Sequence, residues 1–279
     1  MSNTSAPAPV KALHLGSGAP LLLLHGLMLS PHCWEQTAER LAARCEVFAP
    51  ALAGHWGGPD LPIGRIDVRA LTDRVETQLD ELGWRTCHIV GSSLGGWIGF
   101  ELARRGRART LTAIAPLGGW TAPSPAQLRA VAEFASLDLV TRICRHLGSF
   151  PTNSRIMRRA TAFLLAKDTR AVSHGDIEAQ ITAALNCPAV APLVVEFLRG
   201  ARLTDLADIT TPVRLLFADT DRILPRHTYA PRFLRELPDS TDRILIAGVG
   251  HVPMLEAPDR IAGLIAEHIY ASRDHLRAV

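Results

Sequence analysis

A serine, an aspartate and a histidine, far apart in this chain, have the residue types and neighbours for nucleophilic catalysis. Ser93 is the centre of Gly91-Ser92-Ser93-Leu94-Gly95. The apolar run Cys87 to Val90 comes before it, and Leu94, Trp97, Ile98 and Leu102 follow at helical spacing. Strand, sharp turn and helix in that order thrust the central side chain out of the turn. Glycines flank it because a Cβ there would collide with the neighbouring turn. A serine hydroxyl needs a base to take its proton, and imidazole titrates near neutrality. His251 sits in the glycine-rich stretch Gly248-Val249-Gly250-His251 after a strand-like run, whereas His227 reads as a helix-surface residue. The base in turn needs a carboxylate to hold its tautomer. Asp221 suits this better than Asp219, because it lies further into its loop and four residues before Pro225, where a turn can aim it inward. Read singly, Asp221 is a capping residue and His251 a loop histidine; their joint occurrence with Ser93 makes the catalytic reading the stronger one.

These residues need elements that bring them together. Val10 to Leu15 reads as an edge strand, after a frayed tail from Met1 to Pro9. Pro20 to Leu24 reads as a strand buried on both faces. It ends in His25-Gly26-Leu27-Met28, where His25 shapes the turn and the backbone N–H of Leu27, or of Met28, can face a pocket. Helices are expected over Pro31 to Arg44 and Val68 to Leu82, with strands at Glu46 to Ala49 and Arg109 to Ala115. His55 and Trp56, in a glycine- and proline-rich loop, are candidates for a pocket rim or for a solvated loop. From about Thr121 to Ala207 only helical segments appear. Alternation resumes with strands Val213 to Ala218 and Asp242 to Ala247 and helices His227 to Leu237 and Asp259 to Tyr270. The fold class is therefore α/β, a mostly parallel twisted sheet with helices on both faces. Residues 1–120 and 208–279 form its core, and 121–207 form a helical cap inserted before the acid-bearing strand. In such a sheet ligands gather at the C-terminal strand ends, where His25, Ser93, Asp221 and His251 all fall.

Composition narrows the partners. The chain has 279 residues, 47% hydrophobic and 20% charged, with a net charge of +3. That is the profile of a globular protein and no nucleic-acid binder, since its arginines cluster only at Arg104 to Arg109, a helix end. Five dispersed cysteines form no C-x-x-C, so we expect no metal, no cofactor and a reducing, cytoplasmic setting. No run reaches membrane-spanning length and no leader pattern opens the chain, so no membrane partner is expected. Neither G-x-G-x-x-G nor a phosphate-loop Gly-Lys-Ser/Thr occurs. A homodimer is compatible with this reading.

Four stretches carry a resemblance: LLLLHGLMLS, GSSLGGW, the D-x-x-x-P of Asp221 to Pro225, and GHVPMLEAP from Gly250 to Pro258. Through them nearly the whole chain resembles the α/β-hydrolase superfamily, in the capped branch of carboxylesterases, lactonases, meta-cleavage hydrolases and haloperoxidase-like enzymes. The resemblance implies Ser93 as nucleophile, Asp221 as acid, His251 as base, and an oxyanion hole from the N–H groups of Leu27 and Leu94. Two departures bear on substrate. Ala51-Leu52-Ala53-Gly54-His55-Trp56 stands where many relatives carry an aspartate before Leu-x-Gly-His-Gly. Serine at the elbow, in place of aspartate, argues against epoxide hydrolases and haloalkane dehalogenases. The expected activity is cofactor-free hydrolysis of an ester, thioester or lactone of an apolar small molecule, in a pocket walled by the cap with His25, Met28, Trp97 and Trp120 as candidate contributors. Carbon–carbon bond hydrolysis, acyl transfer or cyclisation would use the same triad. A ligand-binding module with its chemistry lost is the reading from another class.

Overall fold

The computed structural model describes residues 7–61, 63–148 and 150–277; of the expected frayed tail, residues 1–6 lie outside these. Seven strands form one sheet: β1 (Ala12–Leu15), β2 (Ala19–Leu24), β3 (Cys45–Pro50), β4 (Cys87–Ser92), β5 (Ala108–Ile114), β6 (Val213–Ala218) and β7 (Asp242–Ile246). Their spatial order is β1-β3-β2-β4-β5-β6-β7. Only the β1–β3 pair is antiparallel. The continuous apolar run in β2 is explained by its place: β3 and β4 flank it, helices cover both faces, and Leu21 to Leu24 are fully buried. The chain order reverses between β2 and β4, and Leu24 pairs in register with Gly91. The loops leaving those two strands therefore emerge side by side, at the crevice where doubly wound sheets bind ligands.

Helices α1 (Glu35–Leu41), α2 (Val68–Glu81) and α3 (Leu94–Arg104) connect the first strands. The expected helix from Pro31 to Arg44 is split. Pro31–Trp34 forms a tight 3₁₀ turn before α1, with Pro31 and Trp34 buried. Between β5 and β6 stand five helices and, among the described residues, no strand: α4 (Pro125–Arg145), α5 (Phe150–Asn153), α6 (Arg155–Leu165), α7 (His174–Leu185) and α8 (Val190–Leu198). Serine caps start three of them. The hydroxyls of Ser124, Ser154 and Ser173 accept from the N–H of Gln127, Met157 and Asp176. The short α5 had no periodicity to announce it. Helices α9 (Arg226–Glu236), α10 (Pro253–Glu256) and α11 (Pro258–Arg277) complete the fold. Among the described residues no single helix is long and apolar enough to cross a membrane.

Candidate active site

Ser93 lies between the last residue of β4 and the first of α3 with φ 53° and ψ −114°, a conformation that a side-chain-bearing residue rarely adopts. The surroundings hold it there. Its N–H donates to the Ile114 carbonyl (2.9 Å), and its carbonyl accepts from Leu117 N–H (3.0 Å) and Trp97 N–H (3.2 Å). A Cβ at Gly91 would strike the Gly95 carbonyl, and one at Gly95 the Leu24 carbonyl. Only glycine lets strand, turn and β2 come this close. Leu94 opens α3, so its N–H has no carbonyl a turn earlier in the helix.

Asp221 follows β6 and His251 follows β7, and the structure brings them together. His251 Nδ1 lies 2.7 Å from Asp221 Oδ2, both residues buried. A carboxylate only accepts, so Nδ1 is the donor in this pair. The other oxygen, Asp221 Oδ1, accepts from the N–H groups of Ile223 (2.9 Å) and Leu224 (2.7 Å), which fixes the carboxylate plane. Asp219 is placed otherwise. It meets Lys167 Nζ at 3.1 Å and Thr220 Oγ1 at 3.0 Å. The Gly248 N–H, then Lys167 and Thr220, hold its carboxyl down at about 2.

Ser93 and His251 share the wall of a cavity of about 130 Å³. Leu27 and Met28, from the loop after β2, line it beside them. Helices α4, α6 and α7 supply most of the rest, including Phe134, Val140, Met157, Leu164 and Ile181. Among the described residues that line the cavity, His251 and Cys144 are the titratable ones. Among the described residues, no three His, Cys, Asp or Glu side chains stand together as metal ligands.

Three expected pocket residues lie elsewhere. His25 is fully buried: Nδ1 bonds the Gly26 carbonyl (2.9 Å), and Nε2 accepts from Leu52 N–H (3.0 Å). Burial, then the neighbouring His55, lowers its pKa to about 3, so it is a neutral strut of the turn. Trp97 and Trp120 are drawn away from the cavity by an aromatic cluster. Trp97 stacks on Phe197 (6.0 Å) and packs edge-on to Trp120 (5.8 Å), whose Nε1 donates to the Ala201 carbonyl. His55 and Trp56 also miss the cavity. His55 packs buried against His25 (5.1 Å), and Trp56 stacks on His32 (5.0 Å).

Sequence reasoning missed three further residues. Glu256 Oε1 accepts from Gly250 N–H (2.9 Å) and Oε2 from Lys167 N–H (2.7 Å), which ties the histidine loop to the helical insert. Val252 N–H adds a bond to the Leu165 carbonyl (2.9 Å). Arg222 Nη1 donates to the Phe163 (2.6 Å) and Ala166 (2.7 Å) carbonyls while its guanidinium lies 3.9 Å above the Phe163 ring. Glu133, half-buried on α4, lies within electrostatic reach of His251 and Asp221. Burial lifts its carboxyl to about 7, with Arg129 and His251 opposing and Asp221 reinforcing. Glu256 sits inside the GHVPMLEAP stretch, so position hinted at it. Arg222 and Glu133 look like surface residues until the tertiary structure is known.

Known proteins fit this geometry. The model of the alpha/beta hydrolase family matches residues 21–264. The chain is 39% identical over 208 residues to epoxide hydrolase EphH of Mycobacterium tuberculosis, covering 75% of this chain and 97% of that protein. It is 27% identical over 269 residues to a pimeloyl-[acyl-carrier protein] methyl ester esterase of Nitrosospira multiformis, covering 90% and 95%. Its fold superposes on a thermophilic esterase from Thermogutta terrifontis with a TM-score of 0.73 at 23% identity, over 94% and 93% of the two chains. A mostly parallel seven-stranded sheet, a serine on a strained strand-to-helix turn and these matches lead to one conclusion: the chain belongs to the α/β-hydrolase family and is a hydrolytic enzyme.

Proposed function

We propose that this enzyme is a serine hydrolase that cleaves an ester, thioester or lactone of an apolar small molecule through an acyl-enzyme. One observation carries the reading: the 2.7 Å contact of His251 with Asp221 puts the imidazole on the same apolar wall as Ser93. In this mechanism Nε2 of His251 takes the Ser93 proton as Oγ attacks the carbonyl, then returns it to the leaving group. Asp221 stabilises the imidazolium without moving, because two backbone N–H groups hold it. The N–H groups of Leu94 and Leu27 receive the oxyanion. Water, activated by the same histidine, releases the acyl group. Residues 121–207 act as the cap, and their apolar walls exclude bulk water from the charged intermediate.

Epoxide opening is the reading suggested by the name of the 39% relative. The chemistry here is unfavourable to it. A carboxylate that opens an epoxide leaves an ester, which water cleaves at the acyl carbon; Ser93 would leave an ether. Neither tyrosine of the chain is positioned as an acid for the departing oxygen: Tyr229 Oη donates to the Ala126 carbonyl, and Tyr270 lies on α11. A carbon–carbon substrate bearing an ionised enol or carboxylate would call for a cation on the wall, and among the described residues neither Arg nor Lys lines the cavity.

A fluorophosphonate probe should label Ser93 in the native protein and fail on Ser93→Ala. With p-nitrophenyl esters from acetate to octanoate, kcat/KM should rise by up to about 0.8 kcal/mol per buried CH₂ and level off when the cavity is full. Absence of label, a flat series, or a preference for charged acyl groups would overturn the proposal.

A further inference from the structure

The cavity is lined in part by α4 and α6, and residues next to the lining ones on both helices expose apolar surface. Val140 marks the mouth: it lines the cavity and is also exposed. On α4, Leu139 and Ile143 sit one turn apart beside the lining residues Val140 and Cys144, and Leu147 continues the stripe. Phe150 opens α5. On α6, Ile156 and Phe163 sit two turns apart beside the lining residues Met157 and Leu164. Ile156 is 79% exposed, and the other five are each at least half exposed.

The charge around this stripe has one sign. Residues 139–166 contain Arg142, Arg145, Arg155, Arg158 and Arg159 and no aspartate or glutamate, in a chain whose net charge is only +3. Asp138, just outside, answers Arg142 at 2.7 Å. Arg145, Arg155 and Arg159 are exposed.

We propose that this rim docks on the surface of an anionic phospholipid membrane. Apolar side chains on short helices, interspersed with arginines, are the make-up of surfaces that seat at the headgroup boundary and are drawn there by negative lipid. Leu139, Ile143, Leu147, Phe150, Ile156 and Phe163 enter the interface, and the arginines meet the phosphates around them. The search for spanning runs, which led to the expectation of no membrane partner, does not detect this mode of binding. Docked this way, the mouth faces the acyl layer, and a substrate apolar enough to fill the cavity reaches Ser93 without crossing water. Only that route rests on the proposed esterase chemistry; the docking surface stands apart from it.

The test is co-sedimentation of the full chain with vesicles of phosphatidylglycerol and phosphatidylcholine, against vesicles of phosphatidylcholine alone. We expect at least ~10-fold stronger partition onto the anionic vesicles at low salt, falling as salt rises. The double variant Phe150→Glu/Ile156→Glu, neither residue lining the cavity, should remain in the supernatant. Its thermal midpoint and its turnover of a short, water-soluble ester should stay at the native level. The thermal midpoint still certifies the fold if no ester is turned over, so failure of the esterase reading and failure of docking give different results. Native protein that ignores both vesicles, or a double variant that still binds, overturns the proposal. So does a dimer in lipid-free buffer that the double substitution splits, because a second copy would then cover the rim.

Discussion

Asp219 and Asp221 stand two residues apart on one loop and do different work. Asp221 gives one oxygen to His251 and the other to two backbone N–H groups, whereas Asp219 answers Lys167 at 28% side-chain exposure. Asp221→Asn should lower kcat by roughly 10⁴, because an amide facing Nδ1 can favour the wrong tautomer. Asp219→Asn should cost less than about tenfold, since the carboxylate it removes touches neither the imidazole nor the cavity. Steady-state kinetics on one ester would rank the two, and the reverse order would mean that the acid is misassigned. The inward course of Asp221 toward His251 was legible in the sequence because four residues to Pro225 leave it room to turn. Glu133 was not legible. Its neighbours in sequence, Arg129 a turn earlier and Phe134 beside it, describe an ordinary helix face, and only the packing of α4 over the β6 and β7 loops gives it a role.

One element that joins insert to core, beside the Ala189–Gly54 and Leu203–Gly118 backbone bonds, is the stretch from Phe163 to Lys167. It is held by Arg222 from the acid loop, by Val252 and Glu256 from the histidine loop, and by Asp219 through Lys167. Arg222→Ala removes two hydrogen bonds to carbonyls and one contact with the Phe163 ring. It should lower stability by about 1–3 kcal/mol and reduce kcat, since the same loop carries Asp221. Arg226→Ala, an exposed residue at the start of α9, should change neither. Thermal melting and turnover of the two variants side by side would decide this; equal behaviour would deny Arg222 its tying role. Strands and long helices were readable from periodicity because burial repeats along them. The 3₁₀ turn that opens the first helix, the four-residue α5 and α10, and the turn of Trp97 and Trp120 away from the cavity were not. Each depends on what packs against the residue and not on its spacing. The tryptophans are large and apolar enough for a pocket wall, but Phe197 on α8 gives them a closer partner.

At the scale of the whole molecule, buried histidines set the response to acid. Burial, with His55 adding to it at His25, lowers His25 to about 3; burial likewise lowers His55 and His268 to about 4. The unfolded chain, near 6.5, therefore binds protons that the folded chain refuses. The stability from these groups is present above 6.5 and is lost as pH falls toward their folded values. Glu133 has the opposite sign: held up near 7, it keeps its proton in the fold, and that contribution is lost as pH rises from 4.5 through 7. The large downward shifts of these histidines, with a lowering of His32 beside them, outweigh Glu133 and the upward shifts of Glu35 and Glu256, so urea midpoints should fall steadily from pH 6.5 to 4, and Glu133→Gln should steepen that slope. A flat profile, or a shallower slope in the variant, would contradict these assignments. The joint at Phe163 to Lys167 also divides the molecule by tolerance to change. Ser93, Asp221 and His251, the triad proposed above, come from the sheet's loops, while most of the cavity wall comes from α4, α6 and α7. Side chains on that wall are free to be exchanged for a new substrate, so long as the backbone of residues 163–167, to which the loops of the acid and the base are bonded, keeps its course. Selection for a different substrate can thus rewrite much of the cavity wall, while the segment bonded to the loops of Asp221 and His251 is one whose path, more than its side chains, it must leave alone.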